Sequence, residues 1–233
     1  MIKFLPLLMM LAYGLVMYQF SVWRTARELD ARSSELADAR LRRLTDRMAQ
    51  ALDLERIRVH IYEVAPINGL AAPDGRIFIT RGFYDRYLAG EVSAEELAGV
   101  IAHELGHVAL GHSRRRMIDF SGQNAIRMTL ATVLNRFLHG LGAMIASGLT
   151  ALLAARLSRQ DEYEADSYAS ALLVKSGIGT GPQKSLFRKL EHLSGGPGAG
   201  TPAWLLSHPG TDQRIAAIEA REARWNTTPR IEG

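Results

Sequence analysis

Two histidines four residues apart, with a glutamate directly after the first, lie in a stretch that is otherwise apolar: His103-Glu104-Leu105-Gly106-His107. On a helix, positions four apart are offset by only about 40° around the axis, so both imidazoles leave from one face. Ser93-Ala94-Glu95-Glu96 is a capping box that opens such a helix, and the pattern predicts that it continues at least to Leu110. Its other face, Leu97, Val100, Ile101, Leu105 and Val108, is apolar and belongs in a core. Burying a His-Glu-His face with nothing to bind it is costly. A shared cation removes that cost, because two neutral imidazoles at this spacing reach one tetrahedral zinc ion at ~2.0–2.1 Å. Glu104 sits on the adjoining flank, placed to take a proton from an attacking water.

Two imidazoles leave such a site incomplete. His112 follows His103 by nine residues, about 180° around a continuing helix, so the spacing turns it away from the metal. Position 113, where a longer zinc-histidine motif would place its third imidazole, is Ser113, and His112 reads as structural. The better source is Asp161-Glu162-Tyr163-Glu164-Ala165-Asp166. Glu162 and Asp166 share a helical face, so one carboxylate can bind the ion while the other, a turn away, orients a ligand imidazole. Glu164 lies about 200° from Glu162 and reads as the member that faces solvent.

The rest of the chain supplies a scaffold and an anchor. Residues 4–23 are apolar, and as a helix they would rise about 30 Å, enough for the hydrocarbon core of a bilayer, with Trp23 at an interfacial position. No small-residue cleavage site follows, which favours a retained single-pass anchor over a leader. Residues 24–55 read as an amphipathic helical lead-in, 56–226 as one catalytic domain and 227–233 as a tail. Within that domain, 57–64 alternates like a strand, and 68–72 and 76–81 form a hairpin about Pro73-Asp74-Gly75. The expected fold class is α+β, mainly helical, with a small antiparallel sheet. Later helices are expected over 159–175, from Pro182, and from Thr211 or Asp212 to about Trp225. The net charge of +4 is spread in mixed-sign stretches, so no nucleic-acid partner is expected. The absence of cysteine excludes thiolate ligands and a thiol nucleophile.

HELGH, then EYEAD about fifty residues on, then Ser207-His208-Pro209 followed by Arg214-Ile215, together resemble the M48 family of gluzincin metallopeptidases over about residues 41–224. The resemblance implies a zincin-like domain with one zinc ion per chain on His103, His107 and Glu162. It makes Glu104 the general base and Asp166 the carboxylate that orients a ligand imidazole. In related periplasmic members the matching histidine approaches the zinc, which gives His208 a gating or transition-state role. Asn68, on the strand expected to pair with an extended substrate, and Arg214 fall on the substrate-binding side. Asn68-Gly69-Leu70 departs from the family's usual alanine and aromatic after the asparagine, which bears on substrate preference. The implied activity is a membrane-tethered metalloendopeptidase acting on misfolded or membrane-associated polypeptides. The alternative is a tethered zinc-binding chaperone with a latent peptidase. The side of the membrane and the oligomeric state stay open.

Overall fold

The computed structural model describes residues 16, 19–20, 23–24, 26–72, 74–112, 142–190, 193, 208 and 211–227. Along the chain they form β1 (Ser33–Glu35), α1 (Ala39–Ala51), β2 (Val59–Tyr62), β3 (Gly69–Ala71) and β4 (Ile77–Thr80). There follow α2 (Arg81–Leu88), α3 (Ala94–Ala109), α4 (Gly142–Lys175), α5 (Gly181–Leu190) and α6 (Thr211–Thr227). Most of the anchor segment 4–23 and all of 194–202 lie outside the described residues. Among the described residues no helix is long and apolar enough to cross a membrane.

The protein is mainly helical with one small sheet, but the sheet is mixed where an antiparallel one was expected. Its order is β1-β2-β4-β3, with β2 and β4 parallel and the two outer pairs antiparallel. Alternating hydrophobicity assigns a strand its faces and says nothing of its direction. The expected hairpin does form, with Ala72 N donating to Arg76 O at 2.8 Å and Gly75 in the left-handed region at φ 83°. β3 lies beyond β4 as seen from β2, however, so β3 with its flanking loops is the connection between the parallel strands β2 and β4.

The lead-in is also not one helix. Ser33–Glu35 leaves the helical path to pair with β2, Ser33 opposite Tyr62. Hydroxyl side chains compete for backbone hydrogen bonds and weaken a helix at such a point. The chain restarts at Asp38, whose carboxylate accepts the N–H groups of Arg40 and Leu41 at the head of α1. Conversely, α4 is continuous from residue 142, where a break before 159 was expected, and it stops as predicted at Gly177, φ 68°.

α3 is the central element. Every residue from Glu96 to His107 is buried, and the helix packs against α1, α4, α5, β3 and β4. The core around it joins Met48 of α1, Ile77 and Ile79 of β4, Leu97 and Ile101 of α3, Leu173 of α4 and Leu186 of α5. Its start is fixed by the predicted capping box, with Ser93 Oγ accepting Glu96 N at 3.1 Å and Glu96 Oε2 accepting Ser93 N at 2.7 Å. Glu96 also accepts from Ser185 and Lys189, which ties that end to α5.

Where α3 crosses α4 there is almost no side chain between the backbones. A methyl group on Gly106 would lie 3.0 Å from both the Cα and the carbonyl oxygen of Ala165, and 3.3 Å from Tyr168 Cβ. Gly106→Val is therefore expected to push the helices apart and destabilise the protein by about 1–3 kcal/mol, despite removing a helical glycine. Chemical denaturation measures the loss; an unchanged midpoint would show that the crossing has slack.

Candidate metal centre

The close crossing brings both predicted motifs to one point. His103 and His107 project from α3 with their Nε2 atoms 3.1 Å apart and their rings nearly perpendicular, at 87°. From α4, Glu162 places Oε2 at 3.3 Å from His103 Nε2 and Oε1 at 3.5 Å from His107 Nε2. A tetrahedral ion with ligands at 2.0–2.1 Å has donor-to-donor edges of about 3.3–3.4 Å. The three separations, two of them to different oxygens of Glu162, bracket that value, so the cluster is of a size that fits a zinc ion. His208 joins the same cluster, with Nδ1 2.7 Å from Glu162 Oε2 and 3.4 Å from His103 Nε2. The four potential ligand atoms all lie within 4.8 Å of one another. Glu104, the predicted base, puts Oε1 3.6 Å from His208 Nε2.

Charge makes the same case as distance. Glu104, Glu162 and Asp166 are 3%, 1% and 0% exposed, and the buried guanidinium beside them, Arg214, is 2% exposed. Three carboxylates against one cation leave a formal surplus of two negative charges in a dry interior, which a divalent cation balances. The titration of the cluster has the same sign. Burial opposes charge on His103, but hydrogen bonds to Asp166 and Glu162 outweigh it and raise its pKa to about 9. Burial likewise pushes the Glu162 carboxyl up, and its bonds to His103 and His208 more than reverse this and hold it well below the usual range.

Each nitrogen facing the cluster is set by its ring partner. His103 Nδ1 lies 2.9 Å from Asp166 Oδ1, and a carboxylate only accepts, so His103 carries a hydrogen there and Nε2 is the nitrogen at which a cation would take the place of a proton. Asp166 is itself gripped by Arg214, Nε to Oδ2 at 2.6 Å and Nη2 to Oδ1 at 2.8 Å. The same guanidinium donates from Nη1 to the backbone oxygen of His208 at 3.1 Å and stacks on Phe187. Arg214, expected on the substrate side, is thus placed inside the protein behind the ligands. Asn68 is placed at the entry to β3, its N–H on Thr80 Oγ1 and its Oδ1 accepting from Gly69 N.

Three neighbours of the cluster depart from what the sequence pattern suggests. His112 does not turn away: α3 ends at Ala109, and Gly111, at φ 67°, folds the chain back so that His112 Nδ1 sits 2.8 Å from His107 Nδ1. The helical wheel fails here because the helix has stopped; the glycine one residue before His112 is the signal that marks it. Glu164 is half-buried against His112 Nε2 at 3.2 Å, where it was expected in solvent. Gln183 of α5, with no sequence signal, lies between Ser170 and Asp166.

The family described as Peptidase family M48 has a sequence model that matches residues 35–222. Metalloprotease YcaL of Escherichia coli K12 is 30% identical, over 79% of this chain and 69% of its own length. Metalloprotease LoiP of the same organism is 29% identical over 78% and 69% respectively. A protease HtpX homolog from Salinibacter ruber is 29% identical and spans 90% of this chain and 84% of its own.

Asp166→Ala would leave Arg214 buried without its partner, at an expected cost of about 3–5 kcal/mol by chemical denaturation of the full chain. Burial raises the Asp166 carboxyl, but Arg214 and His103 overcome it and hold it well below its ordinary value. Its contribution is therefore complete above the unfolded value of about 3.9 and fades as the pH falls through the lower folded one. A wild-type margin over the variant that stayed constant from about pH 5 to pH 2 would sink that linkage.

Proposed function

Because the chain belongs to peptidase family M48 and is a zinc metalloendopeptidase, we propose that His103, His107 and Glu162 hold the ion and that Glu104 is the general base. The observation that carries this assignment is the convergence of His103 Nε2 and His107 Nε2, 3.1 Å apart, on the two carboxylate oxygens of Glu162 at 3.3 and 3.5 Å, from two separate helices. Zinc held by three protein ligands supplies a Lewis acid and brings the pKa of its water near 7. Glu104, on the flank of α3 adjoining the two imidazoles, takes a proton from the attacking water and returns it to the leaving amide nitrogen. Asp166 keeps His103 in the tautomer that binds, and Arg214 keeps Asp166 in place. β3 is one of the two edge strands of the sheet and packs against α3, which supports reading its outer side as the place where an extended polypeptide adds, with Asn68 at the start of that edge. Residues 4–23 would anchor the domain to a membrane, which favours misfolded or membrane-associated proteins as substrates and a role in protein quality control.

A second reading rests on His208. A fourth protein ligand closes a zinc site, and His208 sits against Glu162 and close to His103 Nε2, where the open position belongs. This placement supports reading the protein as a peptidase that His208 can shut, the state in which a tethered chaperone-like role would be exercised.

Glu104→Gln is expected to retain one zinc per chain while casein cleavage falls by about 10²–10⁴-fold, and chelator should abolish the wild-type activity. Undiminished cleavage in that variant removes Glu104 from the reaction. His208→Ala is expected to raise basal cleavage several-fold at unchanged zinc content. A fall in kcat instead would place His208 at the reacting carbonyl rather than across the entrance.

A further inference from the structure

We propose that His112, seated on Glu164, is a positioning residue that holds His107 in the tautomer required for metal binding; this rests on the ligand assignment above. The two imidazoles face each other through their Nδ1 atoms at 2.8 Å, a distance at which one must donate and the other accept. On the far side of His112, Nε2 lies 3.2 Å from Glu164 Oε2 and 3.8 Å from Asp161 Oδ1. Carboxylates accept, so the hydrogen of the neutral His112 ring belongs on Nε2 and its Nδ1 is the acceptor. His107 then donates from Nδ1, and its Nε2 presents a lone pair to His103 Nε2 and Glu162 Oε1. The same order follows from the other end. An imidazole bound to metal through Nε2 carries its one hydrogen on Nδ1, which needs an acceptor.

The two ligand imidazoles are therefore braced differently. His103 rests directly on the Asp166 carboxylate, whereas His107 reaches its carboxylate through a second imidazole. His112 is 0% exposed, so water does not stand in for it as the acceptor. Gln160 donates to Glu164 Oε1 at 3.0 Å, which steadies the outer end of the relay. Residues that orient a ligand histidine are worth about 10–100-fold in metal affinity.

The test is zinc affinity of the full chain by chelator competition, comparing wild type with His112→Phe and His112→Asn. Phenylalanine fills the space and offers no acceptor; asparagine supplies a carbonyl oxygen near the position of Nδ1. The expected result is a 10–100-fold loss in His112→Phe and recovery of most of it in His112→Asn. Wild-type affinity in His112→Phe, or equal losses in both variants, would overturn the proposal. Nitrogen-15 spectra of the zinc-loaded wild type read the tautomers directly, whatever the variants do to folding. Hydrogen on His107 Nδ1 and His112 Nε2 is expected, and hydrogen on His112 Nδ1 would refute it. Two zinc equivalents per chain, one of them lost in His112→Ala but kept in His107→Ala, would make His112 a ligand of a separate ion and overturn the proposal as well. Failure of the ligand assignment looks different: His107→Ala would then bind zinc like wild type.

Discussion

The approach of α3 to α4 at Gly106 and Ala165 is the contact on which everything chemical depends. Side chains usually hold packed helices 8–10 Å apart. Here a missing Cβ lets the backbones nearly touch, with room for less than a methyl group. That closeness lets the short carboxylate of Glu162 reach the Nε2 atoms of both imidazoles at once. The sheet and the remaining helices act on the site mainly by enclosing α3, whose residues from Glu96 to His107 are all buried.

Enclosure creates the second constraint. A helix with apolar neighbours on every side cannot leave His103, Glu104 and His107 unanswered, and the answer comes as charge. Asp166 and Glu162 add two carboxylates, and Arg214 from α6 returns one positive charge through a two-pronged contact that a lysine could not make. The residual negative charge is what makes the pocket a cation site rather than a buried polar network that happens to be satisfied. Arg214 also donates to the backbone oxygen of His208, so the residue that grips Asp166 fixes the backbone of His208 as well.

Much of this is legible in the amino-acid sequence, because its signals are local. The capping box at Ser93, the four-residue spacings of His103 with His107 and of Glu162 with Asp166, and the glycine stop at Gly177 all act within one or two turns of chain. What is not legible depends on where one segment lands against another. Strand alternation at 57–64 cannot reveal that β4 runs parallel to it. A helical wheel puts His112 on the wrong side because it assumes a helix that has ended at Ala109. The resemblance puts Arg214 on the substrate-binding side, and only the position of Asp166 on α4 shows why an arginine is buried there. Gln183 carries no pattern, since a single amide between Ser170 and Asp166 is set by packing alone.

The layout of donors and braces has a consequence for how the metal and the fold depend on each other. α4 contributes Glu162, proposed above as a ligand, Asp166 on His103 Nδ1, and Glu164 with Asp161 on His112 Nε2. α3 contributes both imidazoles and, through the reversal at Gly111, the relay that steadies the second. The cluster cannot loosen on one helix without disturbing the other, because the contacts of His103 Nδ1 and of the His107–His112 pair both end on α4. An ion bound between them therefore opposes the same separation that the Gly106 contact opposes, and its binding free energy is added to the packing of these two helices. The cluster and the Gly106 contact share one helix crossing, so a sequence change that widens the α3–α4 approach weakens both together.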